Sequence, residues 1–154
     1  MPQVVLRPMR EDDVPVVSDI GTQSYRPCYY ESDESFYSKW LGYSKGCYVA
    51  TLEKKVVGYA ITFPFYMGEV FALNSIYTPF LYSDCHYFHD VCVNPLYRGR
   101  GYAKRLVRKV WNTSVHPKCL VAVNDSKKFW NQYGFKETKK IKYGSSTASY
   151  MECV

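Results

Sequence analysis

The chemistry-bearing residues of this chain gather in one stretch, Phe88 to Ala103, reading FHDVCVNPLYRGRGYA. Val91 and Val93 sit among aromatic neighbours, and Pro95 lacks the N–H that a ladder needs, so a buried strand is predicted over Tyr87 to Val93. Beyond it, Gly99 and Gly101 open backbone conformations closed to other residues, and Ala103, Leu106, Val107 and Val110 recur at helical spacing. A helix that starts at the second glycine leaves its first amides unpaired at the positive end of its dipole. With Arg98, Arg100 and Lys104 beside them, those amides make an anion site suited to a pyrophosphate.

A second group could move protons. Strict alternation places His89 on one strand face with Tyr87, Val91 and Val93, and sets Phe88, Asp90 and Cys92 on the other. His89 is therefore a candidate base; the competing reading is a core histidine bonded to a carbonyl or oriented by Asp90. Glu31, Glu34 and Glu69 are rival bases from the preceding helix and loop.

The elements that position these groups can be read in order. Val4 to Leu6 forms a strand, Asp12 or Asp13 caps a helix reaching about Thr22, and Ser32 or Asp33 caps another carrying Phe36, Trp40 and Leu41. Cys47 to Leu52 and Val56 to Phe63 make a hairpin about the turn Glu53-Lys54-Lys55, and an aromatic loop, Pro64 to Cys85, leads to the central strand. A second short strand at Cys119 to Val123 precedes Asn124, a helix start at Ser126 and the close Tyr133-Gly134-Phe135; Phe135 to Tyr143 and Ala148 to Cys153 are terminal strands.

On these residues the chain resembles the GNAT superfamily of N-acetyltransferases. Arg98, Gly101 and Ala103 match its Arg/Gln-x-x-Gly-x-Gly/Ala signature, and the Asn124 to Phe135 stretch resembles its second landmark, an Asn leading to a helix that ends in Gly-Phe. A Rossmann site also sets glycines between strand and helix, but its fuller G-x-G-x-x-G and following acidic residue are missing. The likeness extends through Leu73-Asn74, His89-Asp90, Phe129-Trp130 and Tyr150-Met151, which are similar to small stand-alone members of the superfamily.

The resemblance implies an α/β fold whose central strand and the strand at Cys119 splay apart around an acyl-CoA thioester. It implies acetyl-CoA as co-substrate, held by the backbone of Cys92 and Val93, by Arg98, Gly99, Arg100, Gly101, Tyr102 and Ala103, and by Asn124, Ser126 and Trp130. The Cys92 or Val93 backbone is the implied donor to the thioester oxygen, and His89 is the implied base, acting through water. One position departs from the pattern: the tyrosine that commonly protonates the departing thiolate is here Trp130, whose indole is no acid at neutral pH. Tyr133, one turn later, is the alternative, with packing as the competing role.

At 154 residues and 47% hydrophobic composition, one domain over 1–154 is expected, with no linker or repeat. Met1 to Arg10 has no continuous apolar core, so no secretory leader is expected, and Gly58 and Pro64 interrupt the uncharged stretch Val56 to Gly68, which reads as a core strand. The six cysteines lack zinc spacing, and together with a cytoplasmic location this predicts reduced, buried thiols. A net charge of +6 raises nucleic acid as a partner, but no motif accompanies it, so neither nucleic acid nor membrane is expected. The expected partner is a small-molecule amine or peptide acceptor. Sixteen tyrosines place Tyr25, Tyr29, Tyr30, Tyr37, Tyr66 and Tyr77 in segments that could line the acceptor cleft or present a homodimer face. A non-catalytic acyl-CoA sensor is the alternative function, motivated by Trp130.

Overall fold

A computed structural model describes residues 2–114 and 116–154; Met1 and Val115 lie outside the described residues. Seven strands form one sheet: β1 (Val4–Pro8), β2 (Cys47–Leu52), β3 (Lys55–Phe65), β4 (Cys85–Val93), β5 (Lys118–Ala122), β6 (Lys136–Tyr143) and β7 (Ser146–Cys153). Their spatial order is β1-β2-β3-β4-β5-β7-β6, and among these pairs only β4 and β5 run parallel.

Helices cover both faces. On one, α1 (Val14–Ser24) buries Val14, Val17 and Ile20, and α2 (Asp33–Gly42) buries Phe36 edge-on to Tyr59, in a cluster that includes Phe63 and Tyr87. The α2 start follows the expected logic, since the Ser32 hydroxyl accepts from the Ser35 amide at 3.1 Å. Asp13 acts differently from the expected cap: its carboxylate accepts from the Arg10 amide and both Arg7 nitrogens, and a 3-10 turn carries the chain into α1. On the opposite face, α3 (Tyr102–Trp111) buries Leu106, Val107 and Val110, and the short α4 (Lys127–Asn131) adds Trp130.

Two irregularities in β4 shape the site. First, Ile61 pairs with Asp90 and Thr62 with Phe88, which leaves His89 as an extra, unpaired residue. A bulge of this kind reverses side-chain alternation beyond it and bends the strand. Tyr87, His89, Asp90 and Cys92 consequently all face the α1 side, while Phe88, Val91 and Val93 face α3. The strict alternation expected from sequence, with His89 beside Val91 and Val93, is corrected by that one inserted residue.

Second, β4 and β5 pair only from His86–Lys118 to Phe88–Leu120. Beyond Phe88, β4 stays with β3 as far as Val93, and β5 stays with β7 as far as Ala122. The two parallel strands thus part at the bulge and open a wedge.

A covalent bond closes the sheet just below the wedge, because Cys85 and Cys119 form a disulfide. This corrects the expectation that all the cysteines are reduced; spacing along the chain cannot reveal that parallel pairing brings these two together. Cys28, Cys47, Cys92 and Cys153 remain free. Removing a cross-link that spans 34 residues restores freedom to the unfolded chain, worth about 3–4 kcal/mol. Reduction, or paired Cys85→Ala and Cys119→Ala substitution, is expected to lower the denaturant midpoint accordingly. Thiol titration of the unfolded, non-reduced chain is expected to count four; six thiols and an unchanged midpoint would remove the cross-link from the account.

Candidate functional site

The wedge holds a cavity of about 510 Å³ that runs from the basic glycine turn to the ends of α1 and the β6–β7 turn. At one end, Gly99 and Gly101 adopt φ of +79° and +80°, a region that costs other residues about 1 kcal/mol or more. A methyl group at either glycine would meet nothing within 4 Å, so the glycines are required by conformation and not by crowding. Gly101 stands at the α3 N-cap with no side chain satisfying the first amides, and Arg105 is the first to return a backbone hydrogen bond, to the Gly101 carbonyl. The turn is pinned to β4 by Arg98, whose Nε donates to the Val93 carbonyl oxygen at 3.1 Å.

Facing the opening, the β4 backbone has donors to spare. Asn94 donates its amide to the Val57 carbonyl, and the register Tyr59–Cys92 repeats that pairing two residues earlier. In an antiparallel ladder, amides alternate between the two sides of the strand. The Cys92 amide is thereby spent on β3, and those of Val91 and Val93 point into the wedge. Of the two alternative backbone positions expected from sequence, Cys92 has its amide paired with β3, while the amide of Val93 is left unpaired by that strand, as is that of Val91.

The other end of the cavity is built around a buried carboxylate. Glu31 Oε2 lies 2.8 Å from His89 Nε2, while Oε1 takes the Asn74 amide at 2.9 Å, the Ser35 hydroxyl at 3.1 Å and Lys39 Nζ at 3.3 Å. The Lys39, Glu31 and His89 side chains are 0%, 5% and 2% exposed. Burial alone would raise the Glu31 carboxyl, but His89, Lys39 and the Asn74 amide outweigh it and hold the group well below the usual carboxylate range. Burial lowers the Lys39 ammonium, against the pull of Glu31.

Asp90 is not the partner of His89. It accepts from the Tyr25 and Tyr59 hydroxyls, each at 2.6 Å, and burial raises its pKa against the attraction of His89 and these two bonds. Burial likewise pushes the Cys92 thiol up to about 12, which leaves it a packing residue.

His89, Cys92, Val93, Arg98, Gly99, Gly101, Tyr102, Ala103, Asn124, Ser126 and Trp130 all border the cavity, as does Glu31. Arg100 turns away, its guanidinium 5.2 Å from the Tyr97 ring centre, and Glu34 and Glu69 are exposed elsewhere. Of the six tyrosines proposed as lining, Tyr25 and Tyr29 do so; Tyr77 is instead packed on Phe63. Tyr143 and Phe36, not singled out from sequence, complete the aromatic end. Tyr133 packs on Phe129 and Trp130 outside the lining, with its hydroxyl buried and unpartnered among the described residues.

Beyond the glycine turn, Arg105, Arg108 and Lys109 line a small surface hollow with Leu6, and several basic side chains are engaged with their neighbours. Arg105 is bonded to the Val4 carbonyl, Lys109 lies over Tyr48, and Lys127 and Lys140 meet Glu137. Lys136, Lys139, Lys140 and Lys142 stud β6, an edge strand that charge protects from pairing with other chains. No helix among the described residues is long and apolar enough to cross a membrane.

A profile described as the acetyltransferase (GNAT) family matches residues 15–135. No curated protein sequence matches the chain. Among solved structures, it superposes on the loading GNATL domain of CurA from Lyngbya majuscula with a TM-score of 0.81 at 13% identity, covering 98% of this chain and 97% of that one. Naa50 of Arabidopsis thaliana, solved with the bisubstrate analogue CoA-Ac-MVNAL, gives 0.74 at 15% identity, with 98% of each chain covered. Ard1 from Thermoplasma volcanium gives 0.73 at 17%, covering 97% and 95%. The chain belongs to the GNAT acetyltransferase family, and its mixed seven-stranded sheet with a parting parallel pair is that family's fold.

The buried triad yields a stability test. Glu31→Gln leaves the Lys39 ammonium buried without its counter-charge and is expected to cost about 3–5 kcal/mol in denaturant unfolding. Lys39→Met removes the buried cation itself and is expected to cost less, since Glu31 keeps His89, Ser35 and the Asn74 amide. The reverse order would show that Lys39 and not Glu31 organises the cluster. Because the folded-state pKa of Glu31 lies below its unfolded value, its stabilisation is complete at neutral pH and fades as pH falls through the carboxylate range toward the folded value.

Proposed function

We propose that this protein transfers an acetyl group from acetyl-CoA to a primary amine by direct attack within a ternary complex. The observation that carries this reading is a single cavity with an anion-binding turn at one end, free strand amides in the middle and a carboxylate-held histidine at the other. Phosphates of the cofactor would rest on the Gly99 to Ala103 turn, with Arg98 and Lys104 alongside, and Asn124, Ser126 and Trp130 would flank its pantetheine arm. The Val91 and Val93 amides are the donors available to the thioester oxygen as negative charge builds there.

An alkyl ammonium with pKa near 10 must lose a proton before its nitrogen can attack. A carboxylate only accepts hydrogen bonds, so the contact with Glu31 places the His89 proton on Nε2 and leaves the lone pair on Nδ1. Nδ1 is buried and has no partner among the described residues. His89 then takes the amine proton, directly or through one water, and Glu31 stabilises the imidazolium that results. The acetyl carbon–sulfur bond breaks, and the CoA thiolate leaves with a thiol pKa close enough to neutral to need no dedicated acid, which suits Trp130 at that position.

Trp130 also favours a second reading, a sensor that binds acyl-CoA without turnover. Amine-dependent release of free CoA thiol separates the two: steady release establishes the transferase, and saturable binding without release establishes the sensor. Gly101→Val is expected to weaken acyl-CoA binding at least tenfold, because a β-branched residue resists φ near +80° and displaces the amides, while the core stays folded. Unchanged affinity would remove the phosphate assignment. His89→Gln is expected to reduce turnover most at neutral pH and below, where the acceptor is protonated; a pH profile identical to the parent would return His89 to a packing role.

A further inference from the structure

The two ends of the cavity differ in access. Arg98, Gly99, Gly101, Lys104 and Asn124 at the cofactor end are exposed, whereas Tyr29, Phe36 and Tyr143 at the other end are buried. Three chain segments meet there as a roof. The β6–β7 turn presses on the α1–α2 connection so closely that a methyl group on Gly144 would come within 2.5 Å of the Cys28 carbonyl oxygen. Beneath that contact the Tyr29 and Tyr143 rings lie 6.2 Å apart. The loop after β3 joins them through Asn74, whose amide donates to Glu31 and whose side-chain oxygen accepts from the Ser32 amide at 2.7 Å.

Charge narrows the occupant further. The carboxylates bordering the cavity are Glu31 and Asp90, and every oxygen of both already accepts a hydrogen bond, from Lys39, His89, Ser35 and Asn74 in one case and from two tyrosine hydroxyls in the other. Lys39, buried behind Glu31, has its Nζ committed to Glu31, Ser35 and the Ser75 carbonyl. Among the described residues the lining of this roofed end therefore offers a second ammonium no carboxylate oxygen without a hydrogen bond, a carboxylate no cation, and an extended chain no open groove beneath the contact of Gly144 with Cys28. It offers aromatic and aliphatic walls in Tyr25, Tyr29, Phe36, Leu73 and Tyr143.

From this we infer that the acceptor is a compact primary monoamine with an uncharged apolar or aromatic body, enclosed whole beneath the roof, and not a polyamine, an amino acid or a peptide. The inference rests on the transferase reading of the cavity, and it separates this chain from the fold relative solved with a peptidyl bisubstrate analogue. A buried unpaired charge costs several kcal/mol, so discrimination against charged acceptors is expected to be large.

The test presents the full chain with acetyl-CoA and, in turn, benzylamine, spermidine, phenylalanine and a tetrapeptide with a free N-terminal phenylalanine. Thiol release is followed, and calorimetry measures binding of each compound to the free protein, before CoA fills the open end. Benzylamine is expected to exceed the others at least about 100-fold in kcat/KM. Equal or faster turnover of spermidine, phenylalanine or the peptide overturns the inference. If no compound releases thiol, selective binding of benzylamine upholds the pocket while the transferase reading fails, and absence of that binding overturns the pocket as well. Tyr143→Ala, which removes one ring of the roof, is expected to raise the peptide-to-benzylamine ratio of kcat/KM about tenfold; an unchanged ratio in a folded variant would show that the roof does not select.

Discussion

One inserted residue in β4 governs the architecture of the site. Because His89 has no partner on β3, the strand bends where its pairing with β5 ends, and the wedge opens from that point. The same insertion reverses the alternation of side chains, so that His89 and the neighbouring Asp90 face the same helices. Two adjacent titratable groups are thereby delivered to one side of the sheet, a placement a regular strand forbids.

Their fates differ for reasons of partnership. Asp90 is closed off by Tyr25 and Tyr59 and ties α1 to the sheet. His89 meets a carboxylate that is itself neutralised by the fully buried Lys39, and so keeps one nitrogen free. The cluster is costly to bury and depends on its Glu31 and Lys39 charges being hydrogen-bonded, which is why Ser35, Asn74 and the Ser75 carbonyl surround them. The same contacts anchor the long aromatic loop to the α1–α2 connection, so the structure that orients the histidine also roofs that end of the cavity.

Much of this was legible in the chain. The glycine turn announced itself because positive φ demands a residue type, and the strand and helix around it because burial demands periodicity. The first strand at Val4, the cap at Ser32, the β2–β3 hairpin and the succession of all seven strands along the chain followed from the same local rules. Glu31 was harder: it was visible as a carboxylate near a helix start, but nothing local distinguished it from the exposed Glu34, since its burial depends on Lys39, Asn74 and His89 converging from three elements.

The amino-acid sequence by itself determined the glycine turn, the family and the histidine placed on the central strand, because each is written in residue type and short spacing. The tertiary structure alone decided the bulge that turns His89 toward α1, the register that leaves the Val91 and Val93 amides facing the wedge, the Cys85–Cys119 bond and the close contact of Gly144 with Cys28. Each of these depends on register or on contact between segments distant in the chain, and registers are set by the packing of a whole sheet face and not by the residues that occupy them.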